Sequence, residues 1–229
     1  TAVWLGARDG AIQRSHQKLV EEAPATGIDP QAIAELGERC ANACTLMGYT
    51  GAGTFEFLYE DGAFSFIEMN TRLQVEHPVT EMTTGIDIVR EQLLIAMGQP
   101  LSFTQADIRT QGHAIECRIN AEDPETFRPA PGKVLNWRAP GGPGVRIDTH
   151  LYDGNAVPPN YDSLIAKLIV HGTDRTDALN RMHAALSEMQ ITGIATTTPL
   201  HLRLMNEPGV REGSVSVHYL EALMRKSGS

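Results

Sequence analysis

The run FIEMNTRLQVEHPVTEM, residues 66–82, constrains this chain more than any other segment. Glu68, Asn70, Arg72, Gln74 and Glu76 recur in it at a spacing of two. In an extended segment that spacing puts all of these side chains on one face. Acids, amides and an arginine on one strand face are poor core material. They suit a face that holds a metal ion and a small anion, so the run reads as a candidate active site.

The preceding residues predict the strand that pairs with it. Residues 53–70 read as a hairpin around Glu60-Asp61-Gly62. With a three-residue loop and Gly62 left-handed, Tyr59 pairs with Ala63, Glu56 faces Phe66 and Glu68 faces Thr54. Glu56, Glu68 and Asn70 then share a face, whereas a two-residue loop would shift the register by one and split the glutamates. Carboxylates on adjacent strands repel, and no Lys or Arg is interleaved on that face. A divalent cation resolves the repulsion, and oxygen ligands beside a phosphate-bearing substrate suit Mg²⁺ or Mn²⁺. On the hairpin alone an alternative stays open, in which one glutamate is simply exposed or paired with a distant Arg.

The residues that follow shift that balance. Arg72 and Gln74 can donate to a planar anion, Arg with a bidentate fork. Glu76 stands beside that anion site as a candidate general base. Lys18, in SHQKLVEE, is a second cationic candidate if its strand packs alongside. His77, before Pro78, reads as structural.

Composition narrows the class. Of 229 residues, 41% are hydrophobic and 21% charged, ordinary values for a globular protein. The net charge of −9 speaks against nucleic acid as a partner. No apolar run is long enough for a membrane helix, so no membrane partner is expected. The opening TAVWLGARDG has neither an initiator Met nor a secretory leader, and reads as part of a longer or processed polypeptide. Cys40, Cys44 and Cys117 read as reduced, buried thiols in a cytosol-like compartment.

The expected order of elements gives α+β with mostly antiparallel sheet and flanking helices. Residues 2–22 read as a hairpin turning at Ala7-Arg8-Asp9-Gly10. Asp29 and Pro30 open a helix whose stripe is Ile33, Leu36, Cys40, Cys44 and Met47, stopped by Gly48. A helix follows at about 86–97. Strand-like runs fill about 112–171: HAIECRIN, GKVLNWRAP, GVRIDTHLY and SLIAKLIVHG. Helices are expected at about 174–190, capped by Asp174, at about 199–206, capped by Thr198, and at about 216–226. The end, RKSGS, reads as a frayed terminus or the start of a linker.

Several segments together resemble biotin carboxylase, the ATP-grasp component of biotin-dependent carboxylases. They are RSHQKLVEEAP, GYTGAGTFEFLYEDG, FIEMNTRLQVEHPVTEMTTGIDIV, GHAIECRINAEDP and PPNYDSLIAKLIVHG. The paired glutamates are shared by many ATP-grasp ligases. EMNTRLQVEHPVTE together with ECRINAEDP is more specific to the biotin-dependent group.

The resemblance implies that residues 1–110 are the C-terminal portion of an ATP-grasp domain. It implies that residues 111–229 are the biotin carboxylase C-terminal domain. The family's N-terminal domain, glycine-rich lid and biotin-attachment Met-Lys-Met are not in the sequence. The implied reaction is ATP-dependent carboxylation of biotin with bicarbonate by way of carboxyphosphate, a ligase activity. Glu56, Glu68 and Asn70 look like ligands of two Mg²⁺ or Mn²⁺ ions. Lys18, Arg72, Gln74 and Val75 resemble the bicarbonate pocket, and Glu76 the base. Arg118 resembles the residue that stabilises the biotin enolate. His16, Gln13, Gln17, Glu56, Glu68, Leu58 and Val217 match nucleotide contacts, and Arg146 a dimer-interface arginine.

The implied partners are a biotin carboxyl carrier protein or domain, a carboxyltransferase and a second copy of the chain. The expected location is the cytoplasm, or the mitochondrial matrix for a eukaryotic carboxylase. Acetyl-CoA carboxylation, serving fatty-acid synthesis, is the first reading of the pathway. Propionyl-CoA, methylcrotonyl-CoA or pyruvate carboxylation share the same half-reaction. A carbamoyl-phosphate-type ligase is opposed by Arg118 and PPNYDSLIAKL. A non-catalytic dimerisation scaffold is the reading from outside enzymology, since this chain alone lacks the lid.

Overall fold

The computed structural model describes residues 1–14, 16–213 and 215–227, with backbone alone at 226 and 227. The chain is α+β and divides into two compact units. The first comprises Thr1–Arg8 and Ala23–Gln111, and the second Asp9–Glu22 and Gly112–Ser229. Asp9–Glu22 therefore groups with the later residues, although the sequence division places it with the earlier ones.

Three short strands open the chain: β1 (Gln13–Arg14), β2 (Gln17–Lys18) and β3 (Val20–Ala23). The expected hairpin over 2–22 does not form. Residues 1–8 carry no strand, and the turn lies between β1 and β2, where His16 takes φ 66°. Asp9-Gly10 is no hairpin turn, because Asp9 bridges Glu22 instead.

In the first unit, α1 (Pro30–Met47) starts and stops as its sequence dictates. The Asp29 carboxylate accepts from the Gln31 N–H, Pro30 sits in the first turn, and Gly48 closes the helix at φ 65°. Gly37, inside α1, lies under Trp4, and a Cβ there would stand 2.4 Å from the indole. The expected buried stripe is not seen: no α1 residue is buried, and Leu46 is 88% exposed. Cys40 and Cys44 are only half-buried, and of the three free thiols Cys117 alone is buried.

The hairpin β4 (Thr54–Glu60) and β5 (Ala63–Asn70) follows, then α2 (His77–Thr84) and α3 (Ile88–Ala96). Helix α2 is absent from the sequence reading, which extends the strand period through it. Asp87 caps α3 by accepting from the Arg90 N–H at 2.7 Å. Buried Glu91 of α3 ties down the chain beyond by accepting from the Ser102 hydroxyl and N–H.

The second unit holds most of the core. It runs through β6 (His113–Asn120), β7 (Gly132–Lys133), β8 (Asn136–Arg138), β9 (Val145–Thr149), β10 (Ala156–Val157), β11 (Leu164–Gly172) and β12 (Gln190–Thr192). Its helices are α4 (Arg175–Glu188), α5 (Thr198–Leu204), α6 (Pro208–Glu212) and α7 (Tyr219–Ser227). The main sheet has order β3-β6-β11-β9, antiparallel where β11 meets β6 and β9. Period two sorts its faces. Ile115, Cys117 and Ile119 oppose Val170, Leu168 and Ala166, and all six are buried. Fully buried Met182 and Leu186 of α4 belong to the same core.

The opposite face carries Glu116, Arg118 and Lys167, continued on β9 by Asp148 and Arg146. Asp174 caps α4 as expected, accepting from the Asp177 N–H. The cap of α5 falls on Thr197, one residue before the expected Thr198, and α6 is a helix the sequence reading lacks. The last two residues of RKSGS lie outside the described residues.

Candidate active site

The hairpin turn is Asp61-Gly62, with φ of 49° and 81°. Positive φ at both central residues is the two-residue type I′ geometry that suits strand twist. Glu60 pairs with Ala63 and Tyr59 with Phe64, so the three-residue loop and the Tyr59–Ala63 pair are not formed. The glutamates stay together for a different reason. A β-bulge leaves Ile67 unpaired, and beyond it Glu56 stands directly opposite Glu68 and Thr54 opposite Asn70. The bulge adds back the residue that the shorter turn removes.

The two carboxylates converge on one amide. Asn70 Nδ2 donates to Glu56 Oε1 at 3.0 Å and to Glu68 Oε1 at 2.9 Å. Gln74 Nε2 donates to the same Glu56 oxygen at 2.7 Å. Two acids thus share one partly positive group. Two carboxylates and an amide are the donor set a hard cation such as Mg²⁺ takes, so these side chains fit a metal. Among the described residues no group of three or more His, Cys, Asp or Glu side chains is placed to hold one. Ligands beyond this set must come from elsewhere.

The single extended face over 68–76 does not exist. Strand β5 ends at Asn70, residues 71–76 bend, and α2 begins at His77. Arg72 points its Nη1 at the Leu73 carbonyl (3.2 Å) and is exposed, while Gln74 and Glu76 are buried. The bend brings Gln74, not Arg72, to the glutamates. Glu76 takes the N-cap position of α2, its carboxylate making no cap bond. Val75 is half-buried between them, and Leu58 is 52% exposed. His77 Nδ1 lies 2.7 Å from the Gln74 carbonyl, a structural contact that holds the bend.

Arg8 is the residue of this site that sequence reasoning missed. Its guanidinium donates to Thr80 Oγ1 of α2 (3.1 Å), Thr54 Oγ1 of β4 (3.3 Å) and Gln74 Oε1. In the sequence it looks like a turn residue, and no local signal marks it otherwise.

The second unit positions the remaining candidates. Gln13 pairs with Lys18 and Arg14 with Gln17 across β1 and β2, with His16 exposed in the turn. Arg14 lies 4.5 Å from the Phe127 ring centroid, pairs with Glu122 at 3.2 Å, and donates to Gln17 Oε1. Arg118 is half-buried on β6, and three partners fix its backbone. Its N–H donates to the Leu19 carbonyl at 3.0 Å. Its carbonyl accepts from Thr197 Oγ1 and from His201 Nε2 at 2.7 Å. Burial lowers the His201 pKa to about 4, against the opposing bond to Arg118, so the imidazole is neutral. Arg146 donates twice to Asp148, which also pairs with Lys167 at 3.1 Å. Burial works against the Asp148 charge, but those two cations hold its carboxyl below the usual range. Val217 is half-buried.

Two family models match successive parts of the chain. Residues 1–104 match the carbamoyl-phosphate synthase L chain ATP-binding domain, and residues 116–222 the biotin carboxylase C-terminal domain. Biotin carboxylase of Allochromatium vinosum is 60% identical over 97% of this chain. The chain carries a biotin carboxylase C-terminal domain preceded by an ATP-binding domain.

It spans about half the length of the curated relatives it matches, 50% of the Allochromatium protein. Another relative carries a different name: a pyruvate carboxylase component of Methanothermobacter thermautotrophicus is 50% identical over 97% of the chain, which covers 46% of it. Among solved structures, the biotin carboxylase domain of Hydrogenobacter thermophilus 2-oxoglutarate carboxylase superposes with a TM-score of 0.93 at 47% identity. That match covers 95% of this chain and 49% of the other.

Proposed function

We propose that this chain forms part of a biotin carboxylase that carboxylates carrier-bound biotin with bicarbonate and ATP. Residues 1–110 close the ATP-grasp domain, and 111–229 form the C-terminal domain. The observation that carries the reading is the convergence of Glu56 and Glu68 on Asn70, with Gln74 bonded to the same glutamate. The Hydrogenobacter relative, a dimer in complex with MgADP, ADP and bicarbonate, supports the choice of ligands.

Glu56, Glu68 and Asn70 would hold Mg²⁺ or Mn²⁺, which offsets charge on the ATP phosphates. Gln74 orients bicarbonate, with Arg72 and Lys18 as its cationic contacts and the Val75 N–H as a further donor. Glu76 takes the bicarbonate proton. The carbonate oxygen then attacks the γ-phosphorus, releasing ADP and forming carboxyphosphate. Carboxyphosphate splits into CO₂ and phosphate, the phosphate takes the ureido N–H proton of biotin, and the biotin nitrogen attacks CO₂. Arg118 stabilises the enolate oxygen that forms. His16, Gln13, Gln17, Leu58 and Val217 supply nucleotide contacts.

The partners are a biotin carboxyl carrier protein or domain, a carboxyltransferase and a second copy paired through Arg146. Acetyl-CoA is the favoured final acceptor, because the Allochromatium relative is named biotin carboxylase alone. Pyruvate is the second reading, favoured by the Methanothermobacter relative. The test is Glu68→Gln in a full-length biotin carboxylase containing this chain. The Mg²⁺ concentration for half-maximal ATP cleavage should rise by roughly tenfold or more. An unchanged Mg²⁺ dependence removes Glu68 from the metal site.

A further inference from the structure

We propose that Arg8 is a positioning residue that sets which way round the Gln74 amide sits, and thereby which atom Gln74 offers to a bound anion. A glutamine amide has one acceptor end and one donor end of nearly the same shape, so its orientation follows from its neighbours. Gln74 lies between two groups of opposite kind. Arg8 is donor-only, and its Nη2 meets Oε1. Glu56 is an acceptor when ionised, and its Oε1 lies 2.7 Å from Nε2. Reversing the amide would face N–H against guanidinium and oxygen against carboxylate, losing both bonds. Only one orientation satisfies both neighbours. In it, one Nε2 hydrogen goes to Glu56 and the other remains for an anion.

The guanidinium is itself fixed. Thr80 Oγ1 accepts from Nη1, and Thr54 Oγ1 from Nη2, so a strand, a helix and the bend at Gln74 meet on one planar fork. Gln74 is buried, and a reversed amide in a buried site would present oxygen to an anionic ligand. Arg8 therefore acts on bicarbonate affinity through Gln74 without needing to touch the ligand. The identity of that anion rests on the function proposed above.

The experiment uses full-length biotin carboxylase containing this chain, with Arg8→Met, Gln74→Met and the double variant. Phosphate release is followed against bicarbonate and, separately, against MgATP. Arg8→Met should raise the bicarbonate KM roughly tenfold or more, the effect of losing a charged hydrogen bond, and leave the MgATP KM within about twofold. In the Gln74→Met background the same change should have almost no further effect on bicarbonate KM. A lower kcat with unchanged bicarbonate KM, or equal effects in both backgrounds, overturns the proposal. Should Arg8→Met not fold, Arg8→Lys, which keeps the charge and loses the fork, should still raise bicarbonate KM at least about threefold.

A second readout does not depend on activity. With selective ¹⁵N-glutamine labelling, the two Gln74 Nε2 protons should be well separated in the wild type and drawn together in Arg8→Met. An unchanged pair of signals overturns the proposal. If wild-type ATP cleavage ignores bicarbonate while these signals still respond to Arg8→Met, the functional reading fails and the positioning role stands.

Discussion

Replacing Glu22 by Gln tests a buried electrostatic anchor of the second unit. Glu22 Oε2 lies 2.6 Å from His113 Nε2 and 2.7 Å from Arg175 Nε, and its Oε1 accepts from Arg175 Nη2 at 3.1 Å. The side chains are 11%, 6% and 18% exposed for Glu22, His113 and Arg175, so solvent screens them little. Glu22→Gln keeps the shape and removes the charge, leaving a guanidinium and an imidazole facing an amide. Breaking a buried pair from one side costs about 3–5 kcal/mol. Arg175 keeps its bonds to the carbonyls of Val210 and Arg211, which points to the lower end, about 3 kcal/mol.

The pH dependence has a definite sign. Burial alone would raise the Glu22 pKa, but the bonds from His113 and Arg175 hold it below the ordinary 4.5. A depressed carboxylate contributes stability above its unfolded value and loses it as pH falls through its folded value. The gap between wild type and Glu22→Gln should therefore be widest at neutral pH and close below about 4.5. Urea unfolding is read from Trp137, which packs against this core, in a Trp4→Phe background that leaves it the only indole. Glu207→Gln, which breaks the more solvent-exposed i,i+4 pair with Arg203, is the control and should cost no more than about 1 kcal/mol. A loss from Glu22→Gln no larger than the control, or a gap that persists unchanged into acid, refutes the argument.

Glu76→Gln should lower bicarbonate-dependent turnover by roughly 100-fold or more in full-length enzyme, measured as phosphate release, if Glu76 is the base. His201→Leu should remove an acid-side loss of stability. The wild-type imidazole stays neutral in the fold until about pH 4 but protonates near 6.5 when unfolded, so wild-type stability declines as pH falls between those values. Urea midpoints across that window for both chains test this, and parallel curves would contradict it. Gly37→Ala should destabilise by about 1–3 kcal/mol despite the better helix propensity of alanine, because the added Cβ strikes the Trp4 ring. Thermal unfolding that showed a more stable variant would contradict the packing.

The sequence was most legible where a local rule decides the outcome. Asp29, Pro30 and Gly48 bound α1 because capping chemistry acts within a few residues. The strand-like runs HAIECRIN and SLIAKLIVHG form β6 and β11, which are buried along nearly their whole length, as apolar-rich strands in the middle of a sheet are. The expectation that Glu56 and Glu68 share a face is right in outcome and wrong in cause, and the expected pairs Glu56 with Phe66 and Glu68 with Thr54 are not formed. A two-residue turn alone would split them, and the bulge at Ile67 reverses that effect. No residue pattern in FSFIEM marks a bulge.

The rest depended on partners distant in sequence. The bend at 71–76 and helix α2 overrode a period-two run that extended beyond its strand. Arg8 joins the site through Thr54, Gln74 and Thr80, and a pass along the chain cannot see such contacts. His201 fixes the Arg118 backbone from a helix remote in sequence, for the same reason.

The reaction proposed above is tested most directly by phosphate release from ATP by a full-length polypeptide containing this chain, with bicarbonate present, with and without free biotin. Biotin should stimulate cleavage in the wild type, and Glu68→Gln should lower the rate at limiting Mg²⁺. Cleavage indifferent to biotin would contradict the account and remove the role given to Arg118.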